Sequence, residues 1–368
     1  MPEKYYLSSI ACAGMLHRAG NGYKLPQRLE RAFRVALGIE PASCALETAQ
    51  SDLAAGDGQA VTANSGDVSH CLLATGPGRH NPTAETFVTN ENLRTRYLTP
   101  LEYERLQGFP DDFTRIPFGG RSAEECLNTP RYTALGNSMA VPCVTWVGRR
   151  IHELLAKEKR RWKLGYIHMF MGISAAGVAF RPLGWEPLAF SETDPFASEV
   201  LSIRHPDAPN VGDMTRHDWS QYRGKCDLVV GGPPCQAFSQ SGYRDSLRDG
   251  RGNLSLHFAR AVQAIRPAWV LTENVPGWLN THDNAFGCFL AGLVGADAPL
   301  RPPNNNHGAW PRSGVVSGPV YGAAWRVLDA QHFGVPQRRR RVFIVGHLGD
   351  WRSAAQVLFE CAMANSSE

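Results

Sequence analysis

The chain has 368 residues, 43% of them hydrophobic and 20% charged, which fits a globular protein of one or two domains and excludes a disordered chain. The N-terminus lacks an apolar signal region, and no stretch approaches the roughly 20 apolar residues of a membrane span, so we expect no membrane partner. The formal net charge of +4 is only mildly basic, and its excess lies in residues 157–163 and 337–341.

Cysteine usage limits the redox compartment and the metal content. There are nine cysteines, with no Cys-x-x-Cys pair and no His/Cys cluster at zinc spacing. An odd count without such spacing argues against a disulfide framework and against structural zinc. We therefore expect reduced thiols, a cytoplasmic protein and no metal.

Residues 1 to about 90 contain one amphipathic helical stretch, over residues 25–37, followed by Gly-, Ser- and Thr-rich sequence that carries no motif. The first sharp signal is a helix start, with Thr99 as N-cap, Pro100 as the first helical residue and Glu102 as the third. We expect this helix to end at Gly108, beyond which a proline follows.

Gly136-Asn137-Ser138 leads into an apolar-periodic segment over residues 139–155, which predicts a long helix. A helix start of this composition offers N–H groups and a hydroxyl to a carboxylate ligand. An ordinary helix cap is the more common explanation of such a tripeptide. The basic residues 157–163 that follow are interpreted as a solvated connector.

A strand over residues 166–170 runs into a small-residue turn at Gly172 and then a helix, which is the start of a nucleotide-binding βαβ unit. The next strand, residues 187–191, ends at Glu192, where such a fold places an acid on a ribose hydroxyl. Asp213 is predicted to end a third strand. A solvated surface acid is the alternative for both residues.

The apolar residues 228–230 are too few for a helix and predict the end of a core strand. Gly-Gly-Pro-Pro (231–234) then stops the strand and turns the chain sharply. Cys235 is thereby placed at the carboxyl end of a strand, where open α/β sheets bind their ligands. The polar segment beyond it, residues 240–252, is predicted to be a mobile lid.

Helical spacing over residues 254–265 precedes an apolar strand that delivers Glu273 at its carboxyl end, a candidate acid. Residues 292–320 are rich in Gly, Pro and Asn and predict a long connection. Two final strands, residues 324–328 and 342–345, are predicted to be antiparallel and to close the sheet, with the arginine run in their turn.

Three of these motifs, in this order, resemble the nucleophile, acid and arginine motifs of the DNA (cytosine-5-)methyltransferases: Pro-Cys-Gln-x-Phe-Ser (234–239), Glu-Asn-Val (273–275) and Gln-x-Arg-x-Arg (337–341). Arg-Leu-Gln-Gly-Phe-Pro (105–110) and Gly-Asn-Ser (136–138) are similar to the family's two last motifs. The resemblance implies an α/β fold, a Rossmann-like sheet that binds S-adenosylmethionine (AdoMet) with helices on both faces, plus a smaller target-recognition domain.

The motif order is circularly permuted with respect to the usual family arrangement, in which the cofactor strand comes first and Gly-Asn-Ser last. The resemblance therefore implies that residues 1–95 are the variable target-recognition region. We expect a target-recognition domain with its hinge in residues 1–128, a catalytic AdoMet-binding domain in residues 129–350 and a C-terminal tail in residues 351–368.

The resemblance also implies catalytic roles. Cys235 supplies a thiolate that attacks carbon 6 of a flipped-out cytosine, which makes carbon 5 nucleophilic enough to accept a methyl group. Glu273 hydrogen-bonds or protonates the ring at N3. Arg339 and Arg341 hold the cytosine O2 and a neighbouring phosphate, a planar donor task that suits arginine.

For the cofactor, the resemblance implies that Phe170 stacks on adenine, Glu192 holds the ribose, Asp213 meets the adenine amino group and Asn137-Ser138 approach the methionine end. The remaining cofactor-binding residues are Gly172, Ile173 and Leu254. The residues expected to contact double-stranded DNA are Gln236, Ser239, Arg244, Arg251 and Gln337. A monomer is expected, with a cognate restriction endonuclease as a partner in the same system.

The chain departs from the family at Ser174-Ala175, where two glycines are usual, and at Thr193, where an aromatic often packs on the adenine. Two alternatives stay open: methylation of RNA cytosine, and a non-catalytic DNA- or AdoMet-binding regulator. Intact Cys235, Glu273 and both motif arginines argue against the regulator. Amino-methylating enzymes use an Asn/Asp-Pro-Pro-aromatic turn, whereas here Pro-Pro leads into Cys235.

Overall fold

The structure, a computed structural model, describes residues 68–74, 87–89, 95–158, 163–234, 254–303 and 308–359. The chain divides into two compact units, one comprising Met1–Cys143 with Asp329–Arg339 and the other Val144–Leu328 with Arg340–Glu368. The helix predicted at residues 25–37 lies outside the described residues. Within the described ranges, no helix is both long enough and apolar enough to cross a bilayer.

The first unit contains a two-stranded antiparallel sheet and two complete helices in its described part. Strands β1 (Phe87–Thr89) and β2 (Thr95–Tyr97) form the sheet. The helices are α1 (Pro100–Gln107), α2 (Asn128–Asn137) and the first residues of α3 (Val141–Glu158), and a 3-10 turn covers Ala330–His332.

Helix α1 confirms the predicted capping. The Thr99 hydroxyl accepts a hydrogen bond from the backbone N–H of Glu102, and the Glu102 carboxylate accepts one from the N–H of Thr99 at 2.7 Å. Gly108 ends the helix with a φ of 82°, in the left-handed region that glycine adopts without steric cost.

The second unit is built on a seven-stranded sheet with strand order β4-β3-β5-β6-β9-β8-β7. In chain order the strands are β3 (Gly165–Met169), β4 (Glu186–Ser191), β5 (Leu228–Gly231), β6 (Trp269–Asn274), β7 (Ser313–Ser317), β8 (Tyr321–Asp329) and β9 (Arg340–Leu348). The helices after α3 are α4 (Ala175–Phe180), α5 (Pro195–Arg204), α6 (Leu254–Ile265), α7 (Ala285–Val294) and α8 (Trp351–Leu358), with 3-10 turns at Arg181–Leu183, Met214–Arg216, Trp219–Tyr222 and Pro276–Asn280.

The strands β4, β3, β5 and β6 run parallel to one another, and β9 is antiparallel to β6. The predicted strands at 166–170, 187–191 and 228–230 are therefore confirmed, as is the helix at 254–265. Because β6 extends to Asn274, Glu273 is the second-last residue of the strand and does not follow it. The α/β sheet predicted from the sequence is the observed one.

Three details of the sequence interpretation are wrong. Asp213 does not end a strand: beside β4 only an isolated bridge of Asn210 with Phe190 forms, and Asp213 caps the 3-10 turn Met214–Arg216. The Gly-Asn-Ser tripeptide ends α2 instead of starting a helix, since Ser138 is its C-cap and α3 begins three residues later. Residues 292–320 are not one connection, because they contain the end of α7 and the strand β7.

The core of the second unit is rich in aromatic side chains. Trp278, Phe286, Trp310 and Trp325 meet edge to face, with ring centroids 5.3 to 5.7 Å apart. Such contacts are worth about 0.5–1.5 kcal/mol each beyond the area they bury. They pack helix α7 and strand β8 into one apolar cluster with the central strands of the sheet.

Arg150 of α3 caps the C-terminus of α8, whose last carbonyls have no partner within the helix. Its guanidinium donates to the carbonyl oxygens of Gln356, Val357 and Phe359 at 2.5, 2.6 and 3.1 Å. We expect Arg150→Ala to lower the free energy of unfolding by about 2 kcal/mol, because several carbonyls lose their donor together.

Urea denaturation of the full chain measures this effect, and Lys157→Ala, an exposed position on the same helix, is the matched control with a change within about 0.5 kcal/mol. Equal stabilities of the two variants would show that water replaces the guanidinium without loss.

His168, in the middle of β3, is 1% exposed, and neither ring nitrogen has a hydrogen-bond partner among the described residues. Burial, and then the nearby His205, lowers the pKa of His168 to about 3. Burial, and then the charge of Arg181, lowers the pKa of His205 to about 4. Both rings are therefore neutral in the folded protein at neutral pH.

Below pH 6.5 the unfolded chain binds protons on these two histidines, whereas the folded chain does not. Protonation therefore leaves the free energy of unfolding unchanged above pH 6.5 and lowers it as the pH falls from 6.5 towards 4. The loss is about 1.4 kcal/mol per pH unit for each ring. We expect His168→Leu, of similar volume, to keep the stability at pH 7 and to flatten this dependence in urea titrations between pH 7 and 4. An unchanged slope would contradict the assignment.

Candidate active site

The turn after β5 is anchored at two carbonyl groups. The side-chain amide of Asn274, at the end of β6, donates to the carbonyl of Pro233 at 2.9 Å. The hydroxyl of Ser255, near the start of α6, donates to the carbonyl of Pro234 at 3.4 Å. The backbone that leads into residue 235 is thus fixed to the strand and the helix that follow it in the chain.

The predicted nucleophile itself lies outside the described residues. The same holds for the predicted lid and for four of the predicted DNA contacts: Gln236, Ser239, Arg244 and Arg251. The structure thus fixes the anchored turn up to Pro234, the residue before Cys235.

Glu273 and Arg341 form an ion pair at the carboxyl end of β6. The Arg341 Nε atom lies 3.2 Å from Glu273 Oε1, and the two side chains are 16% and 10% exposed. Because β9 is antiparallel to β6, with Asn274 opposite Val342, its first residues reach the last residues of β6. In such a pair the carboxylate offers hydrogen-bond acceptors and the guanidinium offers donors, so together they can bind the polar edge of a ring.

The arginine run alternates between inward and outward side chains. Gln337 and Arg339 are buried, at 0% and 2% exposure, whereas Arg338 and Arg340 are exposed. The inward side chains lie in the first unit and bind its backbone. A run of solvated arginines would have all of its side chains exposed. Residues 337–341 therefore do not form a simple solvated turn.

Gln337 is fully engaged by its own unit. Its Oε1 accepts from the N–H of Leu72 at 3.2 Å, and its Nε2 donates to the carbonyl of Leu106 at 3.0 Å and to Gln107 Oε1 at 3.3 Å. Ser69 pairs with it as a parallel bridge. A contact of Gln337 with DNA, as the sequence predicts, would require this buried network to open.

Arg339 binds the tripeptide at the end of α2. Its Nη2 donates to the carbonyls of Ser138 at 2.6 Å and Gly136 at 3.0 Å, and its Nη1 faces the carbonyl of Leu72 at 3.5 Å. Gly136 must be glycine here, because a Cβ atom would lie 2.3 Å from the backbone N of Ala74. The predicted contact of Arg339 with cytosine stays a prediction beside this observed structural contact.

We expect Arg339→Met to destabilise the protein by about 3 kcal/mol, because the buried carbonyls of Gly136 and Ser138 lose a charged donor. Thermal and urea unfolding of the full chain measure the loss. Arg338→Met is the control, since its side chain is exposed, and a change within about 0.5 kcal/mol is expected. Equal unfolding curves for the two variants would mean that Arg339 serves the substrate alone.

The loop after β3 has an unusual backbone. Phe170, Gly172 and Ser174 have φ angles of 52°, 51° and 62°, in the left-handed region that favours glycine. Ser174 tolerates it because its hydroxyl accepts a hydrogen bond from the N–H of Gly177 at 3.0 Å. The left-handed φ explains why glycine is usual at this position in the family that the sequence resembles. Ile173, in the same loop, is fully buried.

Glu192 joins this loop to the end of β4. Its Oε2 accepts from the N–H of Gly172 at 2.7 Å, and its Oε1 accepts from the N–H groups of Thr193 and Asp194 at 2.8 Å each. Among the described residues, a Cβ atom on Gly172 would meet nothing within 4 Å, so there is open space beside the Cα of the glycine that Glu192 binds. An acid beside a glycine loop and open space fits a nucleoside-bearing group such as that of AdoMet.

The other predicted cofactor residues are placed as follows. Asp213 is exposed, and hydrogen bonds from the backbone and hydroxyl of Thr215 lower the pKa of its carboxyl. Leu254 begins α6 and is half-buried. Asn137 is exposed at the end of α2, whereas Ser138 is buried with its hydroxyl on the carbonyl of Met139. Among the described residues, no group of His, Cys, Asp and Glu is arranged to hold a metal ion.

Sequence reasoning missed two residues that build the site. Asn210 accepts a hydrogen bond from the N–H of Glu192 and donates one to the carbonyl of Glu192. Gln107 donates to the carbonyls of Leu135 and Ser138. Neither residue has a spacing signal of its own. Gln107 belongs to the motif at residues 105–110, but only its buried hydrogen-bond partners show that it holds the end of α2.

The family model for the C-5 cytosine-specific DNA methylases matches residues 47–153, 164–293 and 317–365, more than half of the chain. A protein of Escherichia phage P1 named DNA N-6-adenine-methyltransferase is 43% identical over 228 residues, which cover 54% of this chain and 30% of that protein.

The Type II methyltransferase M.AquIA of Picosynechococcus is 32% identical over 189 residues, 49% of this chain and 71% of that protein. Among solved structures, a Dnmt2 methyltransferase of S. pombe has 17% identity and a TM-score of 0.37 over 51% of this chain and 50% of that one. This chain thus spans between about a third and about 70% of the two curated relatives. On the extent of the family match, the chain belongs to the C-5 cytosine-specific DNA methylases.

Proposed function

We propose that this protein transfers a methyl group from AdoMet to carbon 5 of a cytosine in a specific double-stranded DNA sequence. The observation that carries the proposal is the Glu273–Arg341 pair at the end of β6, hydrogen-bonded through the adjoining Asn274 to the turn that precedes Cys235. A nucleophile, an acid and a guanidinium at neighbouring strand ends are what addition to a cytosine ring requires. Family membership supports the same chemistry.

The mechanism begins with the base flipped out of the duplex, since none of these groups reaches carbon 6 inside a stacked helix. The Cys235 thiolate adds to carbon 6, and the electron pair of the carbon 5–carbon 6 double bond becomes available at carbon 5. Glu273 contacts N3, and Arg341 donates to O2, so that negative charge on the ring is neutralised. AdoMet supplies an electrophilic methyl group on a sulfonium when it is bound.

After carbon 5 has gained the methyl group, it loses its proton and Cys235 leaves carbon 6, which restores the double bond and the thiolate. Water is our candidate for the proton acceptor. On the cofactor side we propose that Phe170 stacks on adenine, that Glu192 and Asp213 hold the ribose and the adenine amino group, and that the residues around Asn137 contact the methionine end. Arg339, with Arg341, is proposed to hold the cytosine O2 and the neighbouring phosphate, and the predicted lid is proposed to contact the DNA backbone.

The same proposal includes the circularly permuted order and a target-recognition region within residues 1–95. It also includes a monomer in solution and a cognate restriction endonuclease as a partner. A reducing compartment such as the cytoplasm suits a thiolate nucleophile. Matches to Type II methyltransferases support a role in restriction and modification.

The adenine name of the phage P1 relative does not change the proposed reaction. The match covers 30% of that protein, and in this chain the Pro-Pro turn leads into cysteine instead of the aromatic residue that amino-methylating enzymes use. An RNA substrate and a non-catalytic regulator remain the alternatives that the following experiment separates.

We expect Cys235→Ala to abolish methyl transfer while AdoMet affinity stays within about threefold of the unchanged protein, because the thiol bonds to the base and not to the cofactor. Nucleoside mass spectrometry of duplex DNA after incubation with AdoMet measures the product, and calorimetry measures cofactor binding.

Retained 5-methylcytosine formation by Cys235→Ala would contradict the covalent mechanism. Product on RNA but not on DNA would transfer the proposal to an RNA substrate. AdoMet binding without any product from the unchanged protein would favour the regulator.

A further inference from the structure

We propose that Asn210 is a positioning residue for the nucleoside part of AdoMet, because its side chain holds the two acidic loops of the cofactor site at a fixed spacing. The inference rests on the proposed function in that it takes Glu192 and Asp213 as the ribose and adenine contacts. Asn210 itself is not expected to contact the cofactor.

The side chain of Asn210 makes four hydrogen bonds in the second unit. Its Oδ1 accepts from the N–H of Glu192 at 3.0 Å and from the N–H of Gly212 at 3.2 Å. Its Nδ2 donates to the carbonyl of Glu192 at 3.1 Å and to the hydroxyl of Ser198 at 3.1 Å. The reverse orientation of the amide would oppose two N–H groups with an NH₂ group, so these partners define the orientation.

The carboxamide replaces a peptide group at the edge of the sheet. Pro209 and Val211, on either side of Asn210, still pair with Phe190 of β4 through backbone hydrogen bonds of 2.8 Å. Beyond Phe190, no strand residue in the described part of the chain pairs with the N–H and carbonyl of Glu192 on this side of β4. Asn210 binds both of these groups, as an adjacent strand would, and thus continues the edge up to the acid.

The same side chain fixes the loop that carries the second acid. Gly212 has a φ of 71°, which turns the chain from the sheet edge to Asp213. Its N–H is held by Asn210 and its carbonyl by the hydroxyl of Ser191 at 2.6 Å. Asp213 follows directly, so its position depends on the same hydrogen bonds as that of Glu192.

A continuous hydrogen-bond network therefore runs from the loop at Gly172 to the residue before Asp213, the acid proposed to contact adenine. Gly172 is bound by the Glu192 carboxylate, the Glu192 backbone by Asn210, and Asn210 by the backbone of Gly212. Asparagine supplies both the acceptor and the donor that this position uses. Aspartate lacks the donor and would place a carboxylate opposite the Glu192 carbonyl, and glutamine has one methylene too many.

The test uses the full chain with Asn210→Ala and Asn210→Asp, and calorimetric titration with AdoMet and with adenosine alone. For each variant we expect Kd to rise by the same factor, about tenfold, for both ligands. The reason is that Glu192 and Asp213 are proposed to contact only the nucleoside, which the two ligands share. The kcat at saturating AdoMet should stay within about threefold, so that the loss appears in KM.

Asn128→Ala is the matched control, as Asn128 is an exposed asparagine at the start of α2 for which no side-chain hydrogen bond is observed in the described part. Ser198→Ala removes one of the four hydrogen bonds of Asn210, together with the bond that the Ser198 hydroxyl donates to the Glu192 carbonyl at 3.4 Å, and should raise Kd by a smaller factor. It serves as the second variant should Asn210→Ala fold poorly.

An unchanged Kd in folded Asn210→Ala and Asn210→Asp would overturn the proposal, and so would a rise for AdoMet but not for adenosine. A purely structural residue would lower Tm without changing Kd of the folded fraction. Because binding is measured without turnover, failure of the unchanged protein to methylate cytosine would reject the proposed function and leave this test valid.

Discussion

The parallel alignment of β4, β3, β5 and β6 determines where chemistry can occur in the second unit. Four strands that run in one direction deliver their carboxyl ends to one edge, and the polar residues after them meet there. Strand β9 runs against this direction, so its beginning, and with it Arg341, reaches the end of β6 beside Glu273. A parallel β9 would have placed the guanidinium at the opposite edge of the sheet.

The hydrogen bonds at this edge are made mainly by side chains that hold backbone groups. Asn274 fixes the turn before Cys235, Glu192 fixes the glycine loop, and Asn210 fixes Glu192. Each amide or carboxylate satisfies N–H or carbonyl groups that the strand ends leave without a ladder partner. The loops of the candidate site are therefore defined by specific contacts although they lie outside regular structure.

Much of this arrangement could be predicted from the sequence, because its signals are local. The capping box of α1, the strands β3 and β5, and the acid at the end of β6 depend on neighbouring residues alone. The separate environments of Arg339 and Arg341 could not be predicted, since the two have the same residue type and a spacing of two. What distinguishes them is long-range: the hydrogen-bond partners of Arg339 lie 201 to 268 positions away in the chain. The strand predicted to end at Asp213 does not form, because beyond the Phe190–Asn210 bridge the side chain of Asn210 takes the place of strand residues beside Glu192.

Covalent catalysis by Cys235 is the central claim, and a trapped adduct tests it most directly. The protein is incubated with AdoMet and duplex DNA in which 5-fluorocytosine replaces cytosine, and is then digested and analysed by peptide mass spectrometry. Fluorine at carbon 5 cannot leave as the proton does, so elimination of the thiolate is blocked after methyl transfer. The account predicts a methylated fluorocytosine nucleotide bonded to the peptide that contains Cys235. Methylation of ordinary DNA without any such adduct would contradict it.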